Sequence, residues 1–111
     1  MMKMQEKVKM QEKRSVMPSI GFGTMEYLDG THEPSEMEDV VARAVKEGYR
    51  FFDCAEMYAT TAAVGRGLEK SIQAGHARRD EIFVATKLKG IPCGDYEAVS
   101  ERLRVHLKDL R

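Results

Sequence analysis

The sequence has no net charge. Its 18 acids balance 18 bases over 111 residues, so no whole-chain field recruits nucleic acid or an anionic membrane surface, and neither is expected as a partner. It also lacks any apolar run near the ~20 residues that cross a bilayer, and its N-terminus has no apolar core of the kind a secretory signal carries. Cysteine is scarce. Cys54 and Cys93 are the only two, and nothing forces them together, which reads as a reduced protein with the cytoplasm as its default location. Those cysteines and the three histidines, His32, His76 and His106, show no metal-ligand spacing, so no metal is expected. Nucleotide signatures are missing as well. Gly65-Arg66-Gly67 lacks the rest of a phosphate loop, and Gly21-Phe22-Gly23 is followed by Glu26 where a dinucleotide fingerprint needs its third glycine. A chain of this length is one domain at most.

Residues 1–16 stand apart in composition. Lys3-Met4-Gln5-Glu6-Lys7 returns unchanged as Lys9-Met10-Gln11-Glu12-Lys13, in a basic stretch of good helix formers with too few apolar positions to bury. It reads as a flexible, solvated arm; docking to an acidic partner is the sharper alternative. From residue 17 onward the pattern alternates between strand and helix. Met17 to Thr24 reads as a first short strand, and Asp29 to Pro34 as a loop. Ser35 and Glu38 form a capping box for a helix with Met37, Val40, Val41, Ala44 and Val45 on one face and Gly48 as its stop. A second strand runs through Phe51-Phe52 to Asp53. Thr60 or Thr61 then caps a helix lined by Val64, Leu68 and Ile72 and ended by Gly75. A third strand from Ile82 ends near Lys87, followed by a turn around Gly90 to Gly94. Asp95 is the expected cap of a third helix that buries Tyr96, Val99, Leu103, His106 or Leu107, and Leu110.

Three consecutive strand-helix units imply an α/β fold with a parallel sheet and right-handed crossovers. The bulky residues Ile20, Phe51 and Ile82 recur at intervals of 31, so a fourth strand falls due just beyond Arg111. In a parallel sheet Asp53, Tyr58 and Lys87 emerge at one rim, the C-terminal ends of the strands, where such folds place their chemistry. A phenol with a pKa near ~10 is a weak proton donor at neutral pH. A lysine ammonium beside it favours the phenolate, and an aspartate holds that ammonium charged and in place. The three residue types together suit a general acid that protonates an oxygen becoming negative during reaction. Each also has a plainer role as a cap, a rim cover or a strand end.

Pro18-Ser19-Ile20-Gly21-Phe22-Gly23-Thr24, then Gly48-Tyr49-Arg50, Asp53-Cys54-Ala55 and Tyr58, then Val64-Gly65 and Thr86-Lys87-Leu88, in this order and at these spacings, resemble the aldo-keto reductase family over residues 17–111. The resemblance implies a TIM-type (β/α)8 barrel and reduction of an aldehyde or ketone by NADPH, with a small carbonyl compound as substrate. By position, Asp53, Tyr58 and Lys87 match three of the family's four catalytic residues, Tyr58 as proton donor, and Gly23, Thr24 and Asp53 match positions at the nicotinamide end of NADP(H). The fourth residue, a histidine from the fourth strand, has no counterpart here. Thr60-Thr61 replaces the usual Asn-Glu, and Met25 stands where many members carry tryptophan.

A barrel of this kind needs roughly 250 residues to close. Three strands leave two open edges and an uncovered inner face. The chain is therefore expected to be an N-terminal fragment truncated before strand 4 and inactive alone, with a protein partner over its open edges as one way to cover them. The alternative is a non-catalytic accessory or interaction protein built on the same barrel piece.

Overall fold

The computed structural model describes residues 17–25, 34–90 and 94–111. The charged arm, the loop expected from Asp29 as far as Glu33, and Cys93 lie outside the described residues. The chain order is β1 (Phe22–Gly23), α1 (Pro34–Lys46), β2 (Phe51–Asp53), a 3-10 turn (Glu56–Tyr58), α2 (Thr61–Gln73), a second 3-10 turn (Arg79–Glu81), β3 (Phe83–Ala85) and α3 (Tyr96–Leu110). The strands form one parallel sheet in the order β1-β2-β3, the α/β arrangement expected.

Strand alternation sorts the side chains onto two faces. Phe52 is fully buried among the helices with Val41, Val45, Val64 and Leu68, and Phe22 and Val84 pack against the same cluster. Each such side chain contributes about 1.5–3 kcal/mol by leaving water. The intervening residues Phe51 and Phe83 turn to the other face, where their rings meet edge to face at 5.4 Å. A Cβ at Gly21 would stand 2.2 Å from the Phe51 ring, so that ring lies directly across the Gly21 backbone.

Helices α1 and α2 both end in the glycine-centred Schellman motif. Gly48 N–H donates to the Val45 carbonyl and Tyr49 N–H to that of Ala44; Gly75 and His76 repeat the pattern on Ile72 and Ser71. Both glycines take the left-handed backbone, φ +109° and +77°, that side chains disfavour. Arg50 joins the two ends. Its Nη1 donates to the carbonyls of Val45 and Tyr49 at 2.8 and 2.9 Å, and its Nη2 to that of His76 at 3.1 Å.

Four details differ from the sequence reading. The first strand is Phe22–Gly23, and Ile20 sits on a bend before it, 68% exposed, because the Phe51 ring occupies the space over Gly21. Helix α1 begins at Pro34, whose fixed φ suits a first helical position, ahead of the expected cap Ser35; the Glu38 carboxylate pairs across to Arg66 at 2.8 Å. Thr60 does precede α2, but its hydroxyl makes no cap. The largest departure is α3. Asp95 caps it as expected, accepting from Ala98 N–H, yet only His106 and Leu110 are buried, while Tyr96 (83% exposed), Val99, Leu103 and Leu107 (58%) face outward. Along this helix the apolar stripe is wider than the surface that α2 and β3 offer it.

Glycines set how closely the helices approach. A Cβ at Gly67 would stand 2.6 Å from the Glu38 carbonyl of α1, and one at Gly65 1.6 Å from the Asp109 carbonyl of α3. Gly65→Ala is expected to cost about 1–3 kcal/mol as overpacking and to fall mainly on α3. Hydrogen exchange should show α3 amides losing protection while the β2 amides keep theirs; unchanged α3 protection would contradict the close approach.

Candidate active site

The parallel register puts Gly23 beside Asp53, and Asp53 beside Ala85. Lys87 follows Ala85 by two residues, so pleat alternation returns it to the face that carries Asp53. Its Nζ donates to Asp53 Oδ1 at 2.6 Å. Tyr58 closes the 3-10 turn after β2, and Ala59 beyond it takes a left-handed φ of 55°, a conformation that costs a non-glycine residue about 1 kcal/mol or more. This sharp turn brings the phenol ring to the pair, with Lys87 Nζ 5.4 Å from the ring centroid. The three residues singled out in the sequence thus share one rim.

The hydrogen bond to Asp53 raises the Lys87 pKa above the ordinary lysine value. Partial desolvation opposes it, and the Asp53 charge and the Tyr58 phenol add to the rise. The ammonium is therefore permanent at physiological pH. Both side chains are about half open to solvent, 53% for Lys87 and 46% for Asp53, so the pair adds little to stability. Its consequence is orientation.

Gly23 is exposed, and a Cβ there would meet nothing within 4 Å, which leaves an open strip of backbone beside Asp53. Thr24 differs from its expected place at a ligand surface. It is fully buried, its N–H and hydroxyl both donate to the Asp53 carbonyl at 3.2 and 2.9 Å, and its own carbonyl accepts from the Thr60 hydroxyl at 2.9 Å. Every polar atom of Thr24 is committed within the protein, so it holds Asp53 instead of lining the rim. Thr60 acts one step further back. The sequence pattern offered no sign of this relay, because a threonine after a turn reads first as a helix cap.

Cys54, fully buried between them, has its thiol pKa pushed up by burial, with a hydrogen bond to Thr24 opposing the rise only in part. It is a packing residue, not a nucleophile. Among the described residues no cluster of histidine, cysteine and acid could hold a metal ion, and no helix is long and apolar enough to cross a membrane.

Residues 19–111 match the family described as Aldo/keto reductase family. The chain is 39% identical over 72 residues to an NADP-dependent D-sorbitol-6-phosphate dehydrogenase of Malus domestica, covering 65% of this chain and 22% of that protein. It is 41% identical over 73 residues to an NAD(P)H-dependent D-xylose reductase of Candida tenuis, covering 66% and 21%. The alignments thus span about a fifth of the length of these relatives. Among solved structures, an aldo-keto reductase of Bombyx mori in complex with NADP superposes with a TM-score of 0.73 at 29% identity, covering 85% of this chain and 31% of the other. The three-stranded sheet and its helices correspond to the N-terminal part of that barrel.

The raised Lys87 value fixes a sign. A base whose folded pKa exceeds its unfolded one stabilises fully below the unfolded value, ~10.4, and loses that contribution as pH rises through the folded value. An NMR titration of the Lys87 side chain is expected to show a midpoint above ~10.4 in the wild type and a return toward the ordinary value in Asp53→Asn. An Asp53→Asn titration identical to wild type would show that the bond to Asp53 is not what holds the ammonium.

Proposed function

The chain belongs to the aldo/keto reductase family, and on that premise we propose that the rim of Asp53, Tyr58 and Lys87 is the proton-donating site of an NADPH-dependent reductase of aldehydes or ketones. The observation that carries this reading is the 2.6 Å bond from Lys87 to Asp53 with the Tyr58 ring beside the same ammonium. The relatives' names and the NADP in the Bombyx mori complex support the cofactor.

The residues present fit a nicotinamide at one place and not at another. The open backbone at Gly23 beside the Asp53 carboxylate would take the flat face of the ring, whereas buried Thr24 cannot reach it. NADPH, when bound, supplies the hydride that goes to the carbonyl carbon. The chain's own task is the proton. Tyr58 donates it from its hydroxyl to the carbonyl oxygen, Lys87 stabilises the phenolate left behind, and Asp53 keeps Lys87 oriented. The product is an alcohol.

We further propose that these 111 residues do not turn over alone in the cytoplasm, where we place them. The described strands form an open sheet whose inner face, with Phe51 and Phe83, meets no opposing strand among the described residues, and excluding water is part of what such a site does. A binding role without catalysis has one observation in its favour, the exposed apolar face of α3. A firm complex with a partner at that face, together with no turnover in any completed barrel, would favour it.

The purified chain is expected to leave NADPH unoxidised in the presence of a simple aldehyde, and measurable aldehyde-dependent oxidation would refute its inactivity alone. In a chimera completed with the remaining strands of the Candida tenuis reductase, Tyr58→Phe should lower turnover by ~10²–10⁴ while NADPH affinity, read by fluorescence, changes little. Equal loss of both would remove Tyr58 from the role of proton donor.

A further inference from the structure

The reductase reading makes no use of Glu56, a carboxylate tied to three different partners. It lies two residues before Tyr58, and its N–H donates to the Lys87 carbonyl at 2.9 Å. Its side chain turns toward the segment beyond Lys87. Oε2 accepts from Lys89 N–H at 3.4 Å, and Oε1 accepts from Arg102 Nη2 of α3. The other arm of Arg102, Nη1, donates to the Lys89 carbonyl at 2.8 Å. One turn along α3, the buried His106 ring stands between the two sides, with Nε2 3.7 Å from Glu56 Oε2 and Nδ1 3.5 Å from the Thr86 hydroxyl. Lys87 is thus bracketed. The residue before it faces His106, its own carbonyl is held by Glu56, and the residue two beyond it is held at both N–H and carbonyl.

We infer that Glu56, Arg102 and His106 form a positioning network that fixes the direction in which β3 delivers Lys87 to the rim, and that couples this direction to the seating of α3. The coupling follows from how α3 is held. Only His106 and Leu110 of α3 are buried, so polar bonds tie its N-terminal turns to the rim where apolar contact does not. The geometry is that of a charge-assisted fork, the most directional of protein hydrogen bonds. Arg102 holds the Glu56 carboxyl below the usual range, with the Lys89 N–H adding to the effect, so the fork is intact at neutral pH. None of these three side chains touches the reacting atoms; they act through Lys87.

The inference rests on Lys87 belonging to the reacting rim, but the experiment reads the amine itself. Lysine acylation requires the neutral amine, so an ammonium held by a carboxylate reacts slowly. Lys70 of α2, whose Nζ pairs with Asp39 of α1 at 2.9 Å and whose pKa is raised by that bond, is an internal reference. In the 111-residue chain, limited acylation followed by peptide mass spectrometry gives the Lys87:Lys70 labelling ratio. Glu56→Gln and Arg102→Gln are each expected to raise that ratio severalfold, with Lys70 unchanged, and Arg102→Lys to restore part of the protection. An unchanged ratio in both variants overturns the inference. Both lysines accelerating together would also overturn it, because the network would then sustain the fold as a whole and not the placement of Lys87. Turnover is not read, so failure here leaves the role of Tyr58 standing, and failure of the Tyr58→Phe prediction leaves this result standing.

Discussion

Phe52 lies opposite Phe22 on one side and Val84 on the other, and that register decides which side chains see the helices and which see the inner face. A slip of one residue would exchange the two sets. Phe51 and Asp53 would enter the core, and Phe52 would enter water. The buried cluster of Val41, Val45, Phe52, Val64 and Leu68 therefore stabilises more than compactness. By refusing Asp53, it sends the carboxylate to the face where Lys87 arrives from the neighbouring strand.

The two ends of the sheet are built differently. At the N-terminal ends of the strands the ties involve backbone: paired glycine caps, and the Arg50 guanidinium spread over three carbonyls of two turns. Arg79 adds another, donating to the Ile82 and Arg111 carbonyls, while its equally exposed neighbour Arg78 pairs with Asp80 and Glu81. At the C-terminal ends backbone bonds, among them Thr24 N–H to the Asp53 carbonyl and Glu56 N–H to the Lys87 carbonyl, are joined by ties between side chains or from side chain to loop, several of them half exposed. The proposed chemistry lies at this second end, where the charged side chains are partly open to solvent.

Much of this was readable in advance. Asp53 and Lys87 each end an apolar run, which marks strand ends, and a parallel sheet brings consecutive strand ends to one rim without knowledge of any contact. Gly48 and Gly75 follow helical periods and carry the positive φ that such stops require. Where the reading failed, it failed on quantities a one-dimensional pattern does not contain. The stripe Tyr96, Val99, Leu103 has a helical period, but period says only that residues share a face, not whether a neighbour covers it. Thr24 and Thr60 were beyond reach for a related reason: a hydroxyl's partner here lies 29 or 36 residues away, and short polar side chains have local uses that look equally good in sequence.

The Asp53–Lys87 pair is energetically weak but directional, which is what its proposed role would use. With half of each side chain in solvent, screening leaves it little stabilising value, so selection for stability alone would not keep it. Its geometry is nonetheless over-determined. Asp53 is pinned through its carbonyl by the N–H and hydroxyl of Thr24, itself held by Thr60, and Lys87 is fixed by the tied residues around it. A surface ion pair without such support would sample many arrangements and lose side-chain entropy on forming any one. Here the supporting bonds have already removed much of that freedom, so the ammonium is presented to the Tyr58 ring in one direction. Preorganisation of that kind is what the proposed proton donation would require, and the buried threonine relay on one side balances the charged fork on the other.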